Sequence, residues 1–170
     1  VNGALTYRVS FMVLAGYAAG FYAGGDEYDG IVGQVEMRWN PTPGMRFAFG
    51  YDRDFFRSLL GNFHRRDRGY ARGELLMGGS FLLGVEGSAG LYAFGTIVDG
   101  GGTPIGGERS DVRVEGALFA EYRVADWFAL NASLGYVGDF TDYELRIAGV
   151  PPDPGAYQKF EAWAGARVFY

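Results

Sequence analysis

The chain has no cysteine, so no disulfide framework and no thiolate metal site is available to it. It has one histidine, His64, which leaves little room for histidine-based metal binding or acid–base work. No apolar stretch reaches the roughly 20 residues that a membrane-spanning helix needs. The most apolar segment, VSFMVLAGYAAGFYAGG, is glycine-rich and alternating, and lacks the positively charged start of a signal peptide. Strand-like sequence begins already at Ala4, as expected of a processed mature chain or of a piece of a longer one. The formal net charge of -5 argues against a nucleic-acid partner.

What is abundant points to β structure. The chain carries 29 glycines, 12 tyrosines and 14 phenylalanines in 170 residues, a combination suited to strands with tight bends and close backbone approach. The length fits one domain, residues 1–170.

Eight segments alternate apolar and polar residues with the two-residue period of a strand. The apolar sets are Leu5 to Tyr17, Ile31 to Trp39, Met45 to Tyr51, Ala71 to Met77, Leu83 to Ala93, Val112 to Val124, Phe128 to Tyr136 and Phe160 to Tyr170. The connections alternate as well. NPTPG, GGS and ADW are short turns, whereas GFYAGGDEYDG, FRSLLGNFHRRDR, TIVDGGGTPIGGERS and TDYELRIAGVPPDPGAYQ are long links. Short turns at one end and long loops at the other are the asymmetry of an up-and-down outer-membrane barrel.

A soluble barrel or sandwich also alternates. Several segments here stay in phase for longer than the ~5–6 residues of a typical soluble strand. They approach the ~9–11 residues that a tilted strand needs to cross a bilayer. Aromatic residues collect near segment ends, with Trp39, Phe128 and Tyr170 at the turn end and Tyr17, Tyr51 and Tyr136 toward the loop end. Two interfacial girdles would have that distribution. The fold expected is therefore all-β: an antiparallel up-and-down transmembrane β-barrel with eight strands in this chain, in a bacterial outer membrane.

The face opposite the apolar one carries both signs of charge. Arg8, Arg38, Arg46, Arg72, Arg113, Arg123 and Arg167 alternate with Glu36, Glu74, Glu86, Glu115, Glu121 and Glu161, joined by Asp52, Asp111, Asp139 and Lys159. In a closed eight-stranded barrel these would pair as a salt-bridged plug. In a wider barrel they would line a wet conduit. A separate basic stretch holds Arg53, Arg57, Arg65, Arg66 and Arg68, expected in an extracellular loop. Guanidinium forks there suit lipopolysaccharide phosphates or an anionic glycan, and equally suit acidic residues of neighbouring loops.

Motifs for chemistry are weak. Ser58, His64 and Asp67 are near in sequence, but no G-x-S-x-G elbow accompanies them, and an enzyme is not expected. Asp26, Glu27 and Asp29 lack the spacing of a calcium loop, and GGGTPIGG lacks the lysine of a phosphate loop. No metal or other cofactor is expected.

Two resemblances add to this. The alternation of Phe160 and Val168 leading to Tyr170 resembles the C-terminal assembly signal of bacterial outer-membrane proteins, which implies the barrel-assembly machinery as a partner. The stretch Trp39 to Met77 resembles the β-barrel porins encoded with bacterial exopolysaccharide systems. There a strand ends W-x-P-T/S-P, the next starts at once, and an arginine near its end precedes an S-x-x-G-N/D loop. Trp39, Pro41, Thr42, Pro43, Arg53, Ser58, Gly61 and Asn62 stand at those places. That resemblance implies an outer-membrane conduit for a secreted polysaccharide, with outer-membrane lipid and lipopolysaccharide around it and periplasmic polysaccharide-export proteins as partners. Members of that family are usually larger, which implies the C-terminal part of a larger barrel. The alternative is a small barrel with a salt-bridged interior, acting as a structural anchor or binding through its loops.

Overall fold

The computed structural model describes residues 1–22, 27–58, 62–96, 109–145 and 153–169. Among them are eleven strands and no helix: β1 (Asn2–Ala4), β2 (Val9–Gly20), β3 (Tyr28–Thr42), β4 (Met45–Arg57), β5 (Phe63–Met77), β6 (Phe81–Phe94), β7 (Ser110–Ala125), β8 (Phe128–Thr141), β9 (Glu144–Leu145), β10 (Asp153–Pro154) and β11 (Tyr157–Val168). Nine make one antiparallel up-and-down sheet in the order β1-β2-β3-β4-β5-β6-β7-β8-β11, while β9 and β10 pair with each other inside the last link.

The expected eight strands are thus the eight long ones, and the sheet gains a ninth from three residues at the start. Leu5 and Tyr7, read as the beginning of the first strand, lie instead in the turn that folds β1 back on β2. Arg8 lies in the same turn, over the Tyr7 ring, and not on a lumen face. Four short turns, at residues 5–8, 43–44, 78–80 and 126–127, share one end of the sheet. The links after β2, β4, β6 and β8 share the other.

Local chemistry sets the hairpins. Gly78 and Gly79 both adopt positive φ, at 57° and 72°, a conformation that strains any residue with a Cβ. Asn62, just before β5, holds a positive φ of 61°, where asparagine is tolerated better than most residues. Pro41 has no N–H to give the ladder, and the β3–β4 register shifts between Trp39 and Thr42 around it.

The β4–β5 hairpin is longer than expected. The ladder continues to the pair Arg57↔Phe63, so Arg53 and Arg57 belong to β4, and Arg65, Arg66 and Arg68 to β5. These five arginines are strand residues and not a loop. Asp52 and Asp67 stand across the ladder from Arg68 and Arg53, and this pairing allows a charged sequence to zip as strand.

The sheet curls around a concave face that draws residues from β3 through to β11. Glycines permit the close packing there. The Tyr70 ring lies over Gly50, and the Phe119 ring over Gly84, where an added Cβ would overlap each ring. The burial pattern is inverted relative to a water-soluble fold. The fully buried large side chains are Asp111 and Asp139, each 1% exposed. The convex side chains Val35, Val85 and Leu134 are 52%, 56% and 57% exposed.

The sheet is open. No ladder among the described residues joins β11 to β1 or β2, and all twelve residues of β11 are exposed. In place of the expected closed eight-stranded barrel, the described residues form an open, curled sheet with β1 on β2 at one edge and β11 at the other. β1 occupies the outer edge of β2 only at Ser10, Phe11 and Met12, with a further backbone pair between Val1 and Val13.

If the glycine positions serve the flat aromatics, Gly84→Val is expected to destabilise the fold by about 1–3 kcal/mol through overpacking. Adding Phe119→Ala should recover part of that loss. Equilibrium denaturant unfolding of both variants measures it, and no recovery in the double variant would contradict the packing role.

Candidate functional site: the charged concave wall

The concave face is organised in tiers from the loop end to the turn end. At the loop end, one partner line runs Asp52, Arg68, Gly90, Arg113, Asp139 across β4 to β8. Asp52 accepts from Arg66 Nη2 at 2.7 Å and Arg68 Nη2 at 2.8 Å. Asp139 accepts from Arg113 Nη2 at 2.6 Å, and Asp111 from Arg109 Nη2 at 2.6 Å. All four of these guanidinium groups also sit over aromatic rings: Arg66 on Phe56, Arg68 on Tyr70, Arg109 on Phe94 and Arg113 on Tyr92, with centroid distances of 4.5, 5.5, 4.4 and 4.8 Å. A carboxylate on one side and a π face on the other offset part of the cost of taking each guanidinium out of water.

His64 belongs to this tier and not to a loop. It stacks on Phe56 at 5.5 Å and neighbours Tyr92 and Phe94. Its Nδ1 is buried without a hydrogen-bond partner. Asp67 faces the opposite side of β5, where it binds Arg53 and Arg65. The sequence neighbours His64 and Asp67 therefore do not form a pair.

In the middle tier Tyr70 reaches over Gly50 to span two strands. Its hydroxyl donates to Glu36 at 2.7 Å and accepts from Gln34 Nε2 at 2.8 Å. Arg38 Nε meets the other oxygen of Glu36 at 2.6 Å. Ser88 donates to Glu115 at 3.4 Å. Toward the turn end the pairs are looser and wetter: Arg72–Glu74 at 3.0 Å, Arg72–Glu86 and Arg46–Glu74 at 3.9 Å, and Arg167–Glu121 at 3.1 Å. Lys159 and Glu161 pair on the exposed β11, and Arg123 covers the Phe169 ring.

These lower tiers line an open cavity of about 710 Å³, bordered by Glu36, Arg38, Arg46, Arg72, Glu86, Glu115 and Glu161 among others. The structure thus brings together all the lumen residues expected from the sequence except Arg8. It adds Tyr70, Tyr92 and Arg109, whose roles depend on what they face across the ladder. Of the basic stretch, Arg66 and Arg68 turn to the concave side, while Arg53, Arg57 and Arg65 turn to the convex side.

The reach of these contacts defines what the wall can do. Among the described residues, each ion pair on the wall joins groups on one strand, on adjacent strands or on next-but-one strands. None crosses the cavity. Charges are thereby neutralised within the wall itself, and the remaining guanidinium, carboxylate and hydroxyl groups stay free to donate to and accept from a polar solute. Of the expected acidic cluster, Asp29 accepts from Tyr17 at 2.9 Å, and Asp26 lies outside the described residues, as does GGGTPIGG.

The chain matches no protein-family model, no curated protein and no solved structure.

Asp52 neutralises two arginines at once, so Asp52→Asn leaves both unpaired. A fully buried pair broken this way loses ~3–5 kcal/mol, and the partial exposure of Arg66 and Arg68 reduces the expected loss to about 2–3 kcal/mol. Denaturant unfolding measures this. An unchanged midpoint would mean that water solvates the loop-end tier.

Proposed function

We propose that this chain forms the wall of a bacterial outer-membrane β-barrel, a porin-like conduit serving export of a polysaccharide. The observation that carries the membrane reading is the inversion of burial. On β3 from Ile31 to Trp39, β6 from Phe81 to Ala93, β7 from Val112 to Val124, β8 from Phe128 to Phe140 and β11 from Phe160 to Val168, every convex position is apolar, aromatic or glycine. In water such a continuous apolar surface drives aggregation. In a lipid core it is the favourable surface, and aspartates belong on the other side.

Dimensions agree. The long strands run 12 to 16 residues, and about 9–11 residues cross the hydrocarbon region. Trp39 stacks on Phe47 near the turn end, and Tyr17 and Tyr51 hydrogen-bond Asp29 and Asp67 at the loop-end margin of the apolar band. Amphipathic rings favour those two levels. Phe160 and Val168 lie on the convex face of β11, in keeping with recognition by barrel-assembly machinery, while Tyr170 lies outside the described residues.

The conduit reading rests on the locality of the wall contacts. A closed eight-stranded interior is filled by side chains that meet across it. Here the ion pairs stay within the wall and leave a cavity beside it. Many weak polar contacts of both signs let a hydrated glycan bind and move on, the same enter-yet-leave requirement that governs channels. The resemblance of Trp39–Met77 to exopolysaccharide porins supplies the cargo, and with it periplasmic export partners. The alternative, a salt-bridged anchor barrel, draws support from the tight loop-end tier of arginines.

Two measurements test this. Val114→Arg and Leu134→Arg, on the convex face, are expected to weaken folding into lipid vesicles by about 2–4 kcal/mol if they lie at mid-bilayer. Ser88→Arg and Ser133→Arg, on the concave face, should cost less, and equal losses would remove the membrane reading. Separately, single-channel conductance of the native barrel and cell-surface polysaccharide after gene deletion decide between conduit and anchor. No conductance together with unchanged surface glycan would leave the anchor.

A further inference from the structure

Among the described residues the convex face carries a charged patch on β4 and β5, just beyond the loop-end margin of the apolar band. On β4, Arg53, Phe55 and Arg57 point outward; on β5 their cross-strand partners are Asp67, Arg65 and Phe63. Asp67 is shared. Arg53 Nε binds its Oδ1, Arg65 Nε binds its Oδ2 at 2.9 Å, and the Tyr51 hydroxyl also donates to Oδ1. Asp67 therefore spends both oxygens on holding the two arginines in place. Each arginine uses its Nε for that bond, and Arg53 also meets the Tyr51 hydroxyl. Both side chains remain nearly half exposed. Three arginines outnumber Asp67 together with Asp29, which keeps its charge while accepting from Tyr17, so the patch stays positive.

We infer that Arg53, Arg57 and Arg65 form a binding site for the phosphate of a lipid headgroup in the outer leaflet. The inference rests on the membrane reading above. Its chemistry follows from position and geometry. A guanidinium fork matches phosphate oxygens, and two forks fixed by one carboxylate are organised before the ligand arrives. A free soluble anion would meet the same groups. Only a lipid brings its phosphate to this height beside an apolar surface; Phe55 and Phe63, which stand among the arginines on the same two strands, pack on the Tyr28 ring. Arg66 and Arg68 do not take part, because they turn to the concave side and bind Asp52.

The test uses the folded protein in phosphatidylcholine vesicles and in detergent micelles titrated with diphosphoryl lipid A, dephosphorylated lipid A or inorganic phosphate. The wild type should bind diphosphoryl lipid A at least about tenfold more tightly than the dephosphorylated lipid, the scale of a charge-assisted contact. Arg53→Gln with Arg65→Gln should abolish that preference while folding remains intact by heat-modifiable gel mobility. Equal binding of both lipids by the wild type, or an unaltered preference in the double variant, would overturn the site. Inorganic phosphate competing as well as the lipid would also overturn it, in favour of a soluble-anion site. If the wild type does not fold into phosphatidylcholine vesicles at all, the membrane reading fails first, and the lipid site falls with it.

Discussion

Everything in this molecule depends on strict alternation held by unbroken antiparallel ladders. Each strand from β2 to β8 and β11 is hydrogen-bonded along most of its length, so the face of every side chain is decided by register. A slip of one residue would carry Asp52, Asp111 and Asp139 to the convex side and the valines and leucines to the concave one. The register shifts that do occur, at Trp39–Thr42 and Arg123–Ala125, lie at the turn end, where strands terminate and the error does not propagate.

The second constraint is that polar groups taken out of water need partners close at hand. Pairing across a wide cavity would require long reach and precise closure. Pairing with the next strand requires only the register that the ladder already supplies. Arg68 over Asp52 and Arg113 over Asp139 follow that rule, and glycines at Gly50 and Gly84 extend it by letting Tyr70 and Phe119 lie flat across a neighbour. The result is a wall whose charge is balanced locally, which makes its polarity independent of whatever occupies the space beside it.

The open edge is where these constraints run out. Among the described residues β11 pairs with β8 alone, and its residues are exposed on both faces. Such an edge invites pairing in water, and in hydrocarbon it is untenable because its N–H and C=O groups have no solvent to satisfy them. In the proposed membrane setting this edge pairs, with β2 or with strands beyond this sheet. The width of the lumen follows from which of the two it is.

The sequence by itself determined the elements and their sides. Two-residue periodicity marked all eight long strands, and glycine, proline and asparagine marked the turns, because both signals are local. It also placed Glu36, Arg38, Arg72, Glu115 and their neighbours on one polar face, since alternation needs no knowledge of partners. It misjudged residues 56–57 and 63–68, read as part of a loop, because strand formation there depends on Asp52 and Asp67 across the hairpin. It gave no role to Tyr70 or Arg109, and it put Arg8 on a strand that starts one residue later. Tertiary structure alone decided which charges meet, which of the five arginines face outward, and that the sheet ends at an open edge. Those facts depend on register between strands distant in sequence, and register is a sum over the whole ladder that no single segment encodes.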